Sequence, residues 1–254
     1  MKIIAIYSIK GGVGKTAACV NLAHLATAGQ QKVLLCDLDP QGSATFYYRI
    51  QPKAGYDSRK FLKGGKRIHK AIRGSDYTGL DLLPADLSYR NLDIQLSDGA
   101  KSQRRLRRLL KGLKDDYDHI FLDCPPNITL VSENIFQAAD TILVPLIPTT
   151  LSILTYGKLK AFFTANNLNV NKLHPFLSMV EPRKQMHRES IREIMADTPN
   201  LLRTYIPFSA EVEKMGLYRE PLTRRHPSSG AAMAFVKLWN EVNTDILKAD
   251  SHGR

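Results

Sequence analysis

A glycine-rich segment with two lysines and a hydroxyl follows the first apolar run of the chain, and its residue types suit phosphate binding. It reads Ser-Ile-Lys-Gly-Gly-Val-Gly-Lys-Thr over residues 8–16. Glycines let backbone N–H groups turn inward around phosphate oxygens, Lys15 adds positive charge beside the β- and γ-phosphates, and the Thr16 hydroxyl suits Mg²⁺. A helix predicted to start there points its positive dipole end at the anion. The predicted phosphate-binding residues are Lys10, Gly11, Gly12, Val13, Gly14, Lys15, Thr16 and Ala17.

Lys10 is one lysine more than such a loop requires. The usual pattern, G-x-x-x-x-G-K-[ST], would place its first glycine at position 9, which is Ile9 in this chain. Lys10 instead stands inside the loop, beside the predicted phosphates. The alternative interpretation is a solvated surface lysine without a role in binding.

Three aspartates follow two apolar, strand-like runs of the sequence. Asp123 ends one run and precedes two prolines, whereas Asp37 and Asp39 come at the end of another run. In open α/β sheets the carboxyl ends of the strands border the ligand, and alternate residues of an extended segment point the same way. We therefore expect carboxylates that organise Mg²⁺ and orient an attacking water, although helix caps or turn acids are alternatives.

Apolar runs alternate with helical patterns along most of the chain, which is typical of an α/β fold. Strands are predicted within 3–7, 32–37, 79–84, 117–124, 141–145, 173–180 and 202–207. Helices are predicted after the loop and near 65–72, 86–97, 101–114, 129–138, 151–166, 185–197 and 228–248. The prediction is a three-layer, doubly wound, mostly parallel sheet with P-loop NTPase topology, in one domain over 1–254 with a short polar tail at 249–254.

Composition narrows the function classes. The chain has 254 residues, 43% of them hydrophobic, and a formal net charge of +12. This charge favours a nucleic acid or an anionic membrane face as partner, with a merely basic protein as the alternative. No apolar stretch reaches the roughly 18–20 residues that span a bilayer. We expect no leader ahead of the first strand and no stable membrane insertion.

The cysteines and the arginine clusters bear on ligands and partners. Cys19, Cys36 and Cys124 stand singly in apolar segments, which favours core thiols in a reducing cytosol over metal ligation. Helical spacing over 101–114 turns leucines inward and cations outward, although this face could simply be solvated. The candidate DNA contacts are Arg104, Arg105, Arg107, Arg108, Lys111, Arg224 and Arg225.

Three motifs together resemble one family. They are Lys-Gly-Gly-Val-Gly-Lys-Thr at 10–16, Asp-Leu-Asp-Pro-Gln-Gly at 37–42 and Phe-Leu-Asp-Cys-Pro-Pro at 121–126. They resemble the signature motifs of the ParA/MinD superfamily of deviant Walker A ATPases. The Pro-Gln-Gly after Asp39 resembles the ParA branch, and weaker likeness extends to 143–150, 205–207 and 227–231.

This resemblance implies a sandwich dimer around two ATP molecules, in which Lys10 crosses to the partner's phosphates. It implies Asp39 as the residue that positions the hydrolytic water, Thr16 and Asp123 at Mg²⁺, and Asp37 in support. Lys10, Lys15 and Asp39 would then be the catalytic residues. Near the adenine the resemblance implies the segment Met179–Arg183 and the segment that starts at Pro207, with Arg183 and Pro207 as the candidate contacts.

The same resemblance implies a slow, partner-stimulated ATPase that positions a plasmid, chromosome or other cargo. Its expected partners are a second copy of the chain, non-specific DNA, and a cargo adaptor or ParB-like activator, in the cytoplasm on the nucleoid. Ala17 departs from the family, which often has a second hydroxyl residue there. A MinD-like membrane-associated regulator and an iron–sulfur carrier are the alternatives; the polar tail and the isolated cysteines disfavour them.

Overall fold

A seven-stranded sheet forms the centre of the molecule. The computed structural model describes residues 1–97 and 104–248. The strand order is β3-β4-β2-β5-β1-β6-β7, and all neighbours are parallel except β3 and β4, so the predicted mostly parallel sheet is confirmed. The strands are β1 (Lys2–Ile6), β2 (Val33–Asp37), β3 (Arg73–Gly74), β4 (Leu80–Leu83), β5 (His119–Asp123), β6 (Thr141–Leu146) and β7 (Leu173–Leu177).

Helices cover both faces of the sheet. One face packs against α3 to α9 and the other against α1, α2 and α11 to α13, which gives the predicted three layers. The helices are α1 (Lys15–Ala26), α2 (Ser43–Tyr47), α3 (Ser58–Lys63), α4 (Lys66–Ala71), α5 (Leu92–Ser97), α6 (Arg105–Lys111), α7 (Leu130–Ala138), α8 (Thr150–Ala165), α9 (Gln185–Asp197), α10 (Ala210–Glu213), α11 (Met215–Tyr218), α12 (Leu222–Arg225) and α13 (Gly230–Glu241). A π-helix continues α13 over Val242–Lys248.

Strand β1 shows why the strands are apolar throughout rather than alternating. Ile3 and Ala5 belong to the core on one face of the sheet, and Ile4 and Ile6 to the core on the other. All four side chains are buried. Helices on both faces leave no side of the strand for water, so the positions from Ile3 to Ile6 are all apolar.

The strand predicted over Leu202–Pro207 is wrong. The backbone N–H groups of Arg203 and Thr204 donate to the Glu241 carboxylate, at 2.7 and 2.9 Å, instead of to a neighbouring strand. Only isolated bonds to the β7 side remain, such as Ile206 N to the Leu177 carbonyl at 2.8 Å. A side chain at the end of α13 therefore interrupts the ladder. The predicted tail at 249–254 and positions 101–103 of the predicted helix lie outside the described residues.

Two glycines join α3 to α4 and let both helices pack against α6. Gly64 has φ 59° and ψ −152°, and Gly65 has φ 58° and ψ −142°. This backbone region is open to glycine and to almost no other residue. A Cβ on Gly64 would lie 2.3 Å from Leu109 Cδ2. A side chain at Gly64 would therefore strain the backbone and force the tip of Leu109 to move.

We predict that Gly64→Ala lowers the free energy of unfolding by about 2 kcal/mol, because it adds backbone strain and a steric clash. Gly157→Ala is the matched control, since Gly157 lies in α8 and a Cβ there meets nothing within 4 Å. The control should raise stability by roughly 0.5–1 kcal/mol, the usual gain of alanine over glycine in a helix. Denaturant unfolding measures both, and equal effects would contradict the packing argument.

Candidate nucleotide-binding site

The loop between β1 and α1 has the backbone of an anion cradle. Gly12 and Gly14 have φ values of 69° and 88°. Cβ atoms at Gly11 and Gly12 would meet nothing within 4 Å, so the space in front of the loop is open. Ser178, just after β7, donates from its hydroxyl to the Val13 carbonyl at 3.0 Å. The loop is thus held on one side by Ser178 and is open on the side of Gly11 and Gly12.

Lys15 is the charged residue that the loop encloses. It is buried, and its Nζ donates to the Lys10 carbonyl oxygen at 3.1 Å. Burial lowers the pKa of Lys15, and the negative charge of Asp123 opposes this shift. Lys10 itself is half-buried, with its backbone N–H donating to the Ser8 hydroxyl at 3.3 Å. The two predicted lysines therefore lie together at one loop, with different surroundings.

Asp37 and Asp123 are paired residues at the carboxyl ends of the adjacent strands β2 and β5. Both side chains are 0% exposed. Asp37 Oδ2 accepts bonds from the Thr45 N–H at 2.8 Å and hydroxyl at 2.7 Å. Within the described part of the chain, Asp37 Oδ1 and both oxygens of Asp123 lack a hydrogen-bond partner of standard geometry. Three carboxyl oxygens are thus buried beside the loop without a hydrogen bond of standard geometry.

This burial changes the charge state of both acids. It raises the pKa of Asp37, and the Thr45 hydrogen bonds oppose the shift. Burial and the Asp37 charge raise the pKa of Asp123 well above its usual value, with the Thr16 hydroxyl and Lys15 acting in the opposite direction. The site therefore favours any added cation that replaces the missing donors.

Asp39 belongs to the same cluster but is held differently. It is half-buried, and its Oδ1 accepts from the Gln41 N–H at 2.9 Å. Its charge contributes to the raised pKa of Asp123, which places it within electrostatic range of that residue. The turn that follows Asp39 leads into α2, which starts after Gly42. One carboxylate therefore stays accessible near two that are enclosed.

The donor set fits Mg²⁺ held jointly with phosphate. Among residues 1–97 and 104–248, no group of three or more His, Cys, Asp or Glu side chains is placed to hold a metal. Mg²⁺ usually binds one or two carboxylates and takes its other ligands from phosphate and water. Thr16 and Asp123, with Asp37 behind them, supply that partial set.

A groove of about 380 Å³ opens beside the loop. Pro207 lines it, as expected for the base side of a nucleotide, whereas Arg183 is exposed and is not part of its lining. Gly14 and Ala17 of the predicted loop also line it, as do Met179, Phe208 and Ser209 from the segments expected near the adenine. Sequence reasoning missed the rest of the wall, which is formed by Ala18, Phe176, Ser178, Ile206, Val212, Glu213 and Phe235.

Polar residues of α1 connect the loop helix to the segment with Arg224. Asn21 is fully buried, and its Oδ1 accepts from the Thr223 N–H at 3.0 Å. His24 Nδ1 lies 2.9 Å from the Thr223 hydroxyl. Burial, followed by the Arg224 charge, lowers the pKa of His24. Sequence analysis missed this connection, because it joins positions about 200 residues apart.

The two predicted DNA-contact clusters lie in opposite helical layers. Arg224 and Arg225, at the end of α12, are exposed, and Arg225 bonds Glu220 at 3.2 Å and stacks over the Tyr218 ring. The α6 cluster packs on the other face of the sheet through its leucines. Its arginines differ: Arg104 and Arg108 are exposed, whereas Arg105 and Arg107 are half-buried. These clusters cannot form one continuous patch.

Two further observations concern alternative ligands. All three cysteines are free and buried, at positions 19, 36 and 124. No helix within residues 1–97 and 104–248 combines the length and the apolar character needed to cross a bilayer.

The amino-acid sequence is similar to a family model and to known proteins. A family model described as an AAA domain matches residues 1–174. The Bacillus subtilis sporulation initiation inhibitor protein Soj is 30% identical over 249 residues, 95% of this chain and 98% of that protein. The Chlamydia psittaci virulence plasmid ParA family protein pGP5-D is 29% identical over 253 residues, 97% of this chain and 96% of that protein.

A solved structure also matches the whole fold. The crystal structure of cobyrinic acid a,c-diamide synthase from Mycobacterium smegmatis, with bound ADP and magnesium, has a TM-score of 0.80 at 25% identity. The match covers 100% of this chain and 96% of that chain. The predicted P-loop NTPase topology is confirmed.

We predict that Asp123→Asn stabilises the ligand-free protein at pH 8. An unfolded aspartate loses its proton near pH 4, whereas the fold keeps Asp123 protonated to a higher pH. The wild type therefore loses stability as the pH rises above about 4, and asparagine does not titrate. The melting temperature should rise by at least about 2 °C at pH 8, and the gain should shrink towards pH 5.

Asp115→Asn is the matched control, because Asp115 is exposed. It should leave the melting temperature unchanged at both pH values. A lower melting temperature for Asp123→Asn at pH 8 would show that the ionised carboxylate stabilises the empty site, contrary to this argument.

Proposed function

The chain belongs to the ParA branch of the ParA/MinD superfamily of deviant Walker A ATPases, and on that premise we propose that it is a positioning ATPase. It binds ATP with Mg²⁺, dimerises in the ATP state, binds DNA without sequence preference and moves or spaces a cargo. The names of two relatives support the general role: one is a virulence plasmid ParA family protein, and another is a chromosome partitioning protein ParA from Caulobacter vibrioides. The cytoplasm, on the nucleoid, is the proposed location.

The observation that carries the proposal is the set of unpaired carboxyl oxygens on Asp37 and Asp123, next to an open glycine loop. Mg²⁺ supplies positive charge that neutralises phosphate oxygens and organises water. Asp123 and the Thr16 hydroxyl are the proposed holders of the metal. Asp37, fixed by Thr45, is proposed to support Asp123 from the adjacent strand. The nucleotide-bound state of a structural neighbour, with ADP and magnesium, supports this assignment.

Hydrolysis is assigned to the charged residues around the loop. Lys15 leaves the Lys10 carbonyl and contacts the β- and γ-phosphates. Asp39, the accessible carboxylate, positions the attacking water. Lys10 reaches the phosphates of the partner subunit and stabilises the charge that builds up on the transferred phosphoryl oxygens. Because the second lysine comes from the other subunit, hydrolysis depends on dimerisation, and a cargo adaptor or ParB-like protein is the proposed activator.

We propose that the groove beside the loop receives the adenine. Pro207 lies in its wall, with Met179 and Phe208 supplying further apolar surface. Arg183, which is exposed and outside the groove lining, stays a prediction for the adenine side.

Asp39→Ala should trap the ATP-bound dimer, because ATP still binds while the water lacks its positioning group. We expect ATP turnover to fall at least about 100-fold, in the range of one lost catalytic proton or water contact. ATP affinity should change by less than threefold. Phosphate release and size-exclusion light scattering measure the two effects. Normal turnover would contradict the role of Asp39.

Lys10→Ala and Lys15→Ala should separate dimer-dependent chemistry from nucleotide binding. Lys15→Ala removes the buried phosphate contact and should abolish ATP binding in calorimetry. Lys10→Ala should leave ATP binding by the monomer within about threefold but prevent ATP-dependent dimerisation and hydrolysis. Equal loss of ATP binding in both variants would make Lys10 a purely local contact, and retained ATP binding by Lys15→Ala would overturn the loop assignment.

A further inference from the structure

The excess positive charge of the chain is confined to two segments. Residues 58–74 and 104–114 contain 13 of the 36 lysines and arginines and none of the 24 acidic residues. The rest of the chain has 23 cationic and 24 acidic side chains, so it is nearly neutral. The net charge of +12 therefore belongs to these two segments alone.

These segments are distant in sequence but adjacent in the fold. Helices α3 and α4, from the first, and α6, from the second, contribute to one hydrophobic core. The missing side chain of Gly64 allows Leu109 of α6 to lie against the α3–α4 connection. His69 Nδ1 of α4 lies 3.8 Å from Asp116 Oδ2, just after α6. The outer sides of the three helices thus form one surface, which rests on a shared hydrophobic core.

The cationic side chains of this surface face solvent. No carboxylate of residues 1–97 or 104–248 lies within 4 Å of Lys63, Lys66 or Arg67. We define the α3–α4–α6 surface by its exposed cations, which include Arg59, Lys60, Lys63, Lys66, Arg67, Lys70, Arg104, Lys111 and Lys114.

We propose that the α3–α4–α6 surface binds the phosphate backbone of double-stranded DNA. A duplex carries one charge per about 1.7 Å of axis, so cations spaced by single helical turns of about 5.4 Å meet phosphate in any register. Binding by phosphate contacts alone reads no sequence. The inference rests on the DNA-binding part of the proposed function, and it assigns that binding to the layer opposite Arg224 and Arg225.

The apolar residues of the surface favour DNA over a membrane or a protein partner. Phe61, Leu62, Ile68, Leu106 and Leu110 are all buried in the core. Among the described residues, no exposed large hydrophobic side chain lies in 58–74 or 104–114. Interfacial helices insert apolar residues into lipid, and protein interfaces centre on apolar or aromatic anchors. A surface of cations without such anchors fits a polyanion.

The test compares two matched triple variants of the full-length protein. Arg59→Gln, Lys63→Gln and Arg67→Gln remove two arginines and one lysine from the surface. Arg188→Gln, Arg192→Gln and Lys158→Gln remove the same residue types from exposed positions on α8 and α9. Affinity for two 30-base-pair duplexes of unrelated sequence is measured with ATP at several salt concentrations. ATP binding and turnover without DNA are measured in parallel.

We expect the surface variant to weaken binding to both duplexes at least tenfold at 0.15 M salt. The slope of log affinity against log salt should fall by about 2–3, close to one unit per lost phosphate contact. The control variant should change neither, and both variants should keep wild-type ATP turnover. If the wild type binds duplex but no ATP, the proposed function fails while the surface assignment stands.

Three results would overturn the assignment. The first is an equal loss of DNA affinity in both variants, which would mean that the affinity depends on total charge and not on this surface. The second is an unchanged affinity in the surface variant. The third is a wild-type protein that binds neither duplex. If that protein also co-sediments with vesicles containing phosphatidylglycerol, the ligand of the surface is a membrane.

Discussion

Two buried carboxyl groups without enough donors are the constraint on which the rest of this structure depends. Asp37 and Asp123 end adjacent strands, and three of their four oxygens lack a hydrogen bond of standard geometry. Buried charge of this kind is stable only beside cations or in the protonated form. The order of strands meets that need, because β5 lies between β2 and β1 and so brings both acids next to the loop with Lys15. Stability alone does not explain two buried acids at the ends of adjacent strands.

The phosphate half of the site could be predicted because its signals are local. Glycine spacing, an apolar strand before the loop and an acid at a strand end are each readable within a few residues. The wall of the groove could be predicted only in part, because distant elements determine much of it. Glu241 takes the N–H groups that would have made Leu202–Pro207 a strand, and Thr223 finds Asn21 only after α12 packs on α1. No local sequence pattern predicts either contact.

Composition gives the net charge of the chain but not the place of that charge on the fold. A value of +12 is compatible with cations scattered evenly over the surface. The fold instead gathers the excess on α3, α4 and α6, while Arg224 and Arg225 stay in the other layer, one of them paired with Glu220. The sequence alone assigns the glycine pair at 64–65 no role. In the structure it is the joint that lets two cationic helices pack beside a third.

The groove beside the loop is built mostly from a different part of the chain than the phosphate site. The matched family region ends at residue 174, and it includes the loop and all three aspartates. Apart from Gly14, Ala17 and Ala18, the groove lining comes from residues 176–235. The two halves of the groove and loop region are therefore encoded in separate stretches of the chain. Substitutions beyond residue 174 can reshape most of the groove while the loop and the three aspartates keep their sequence.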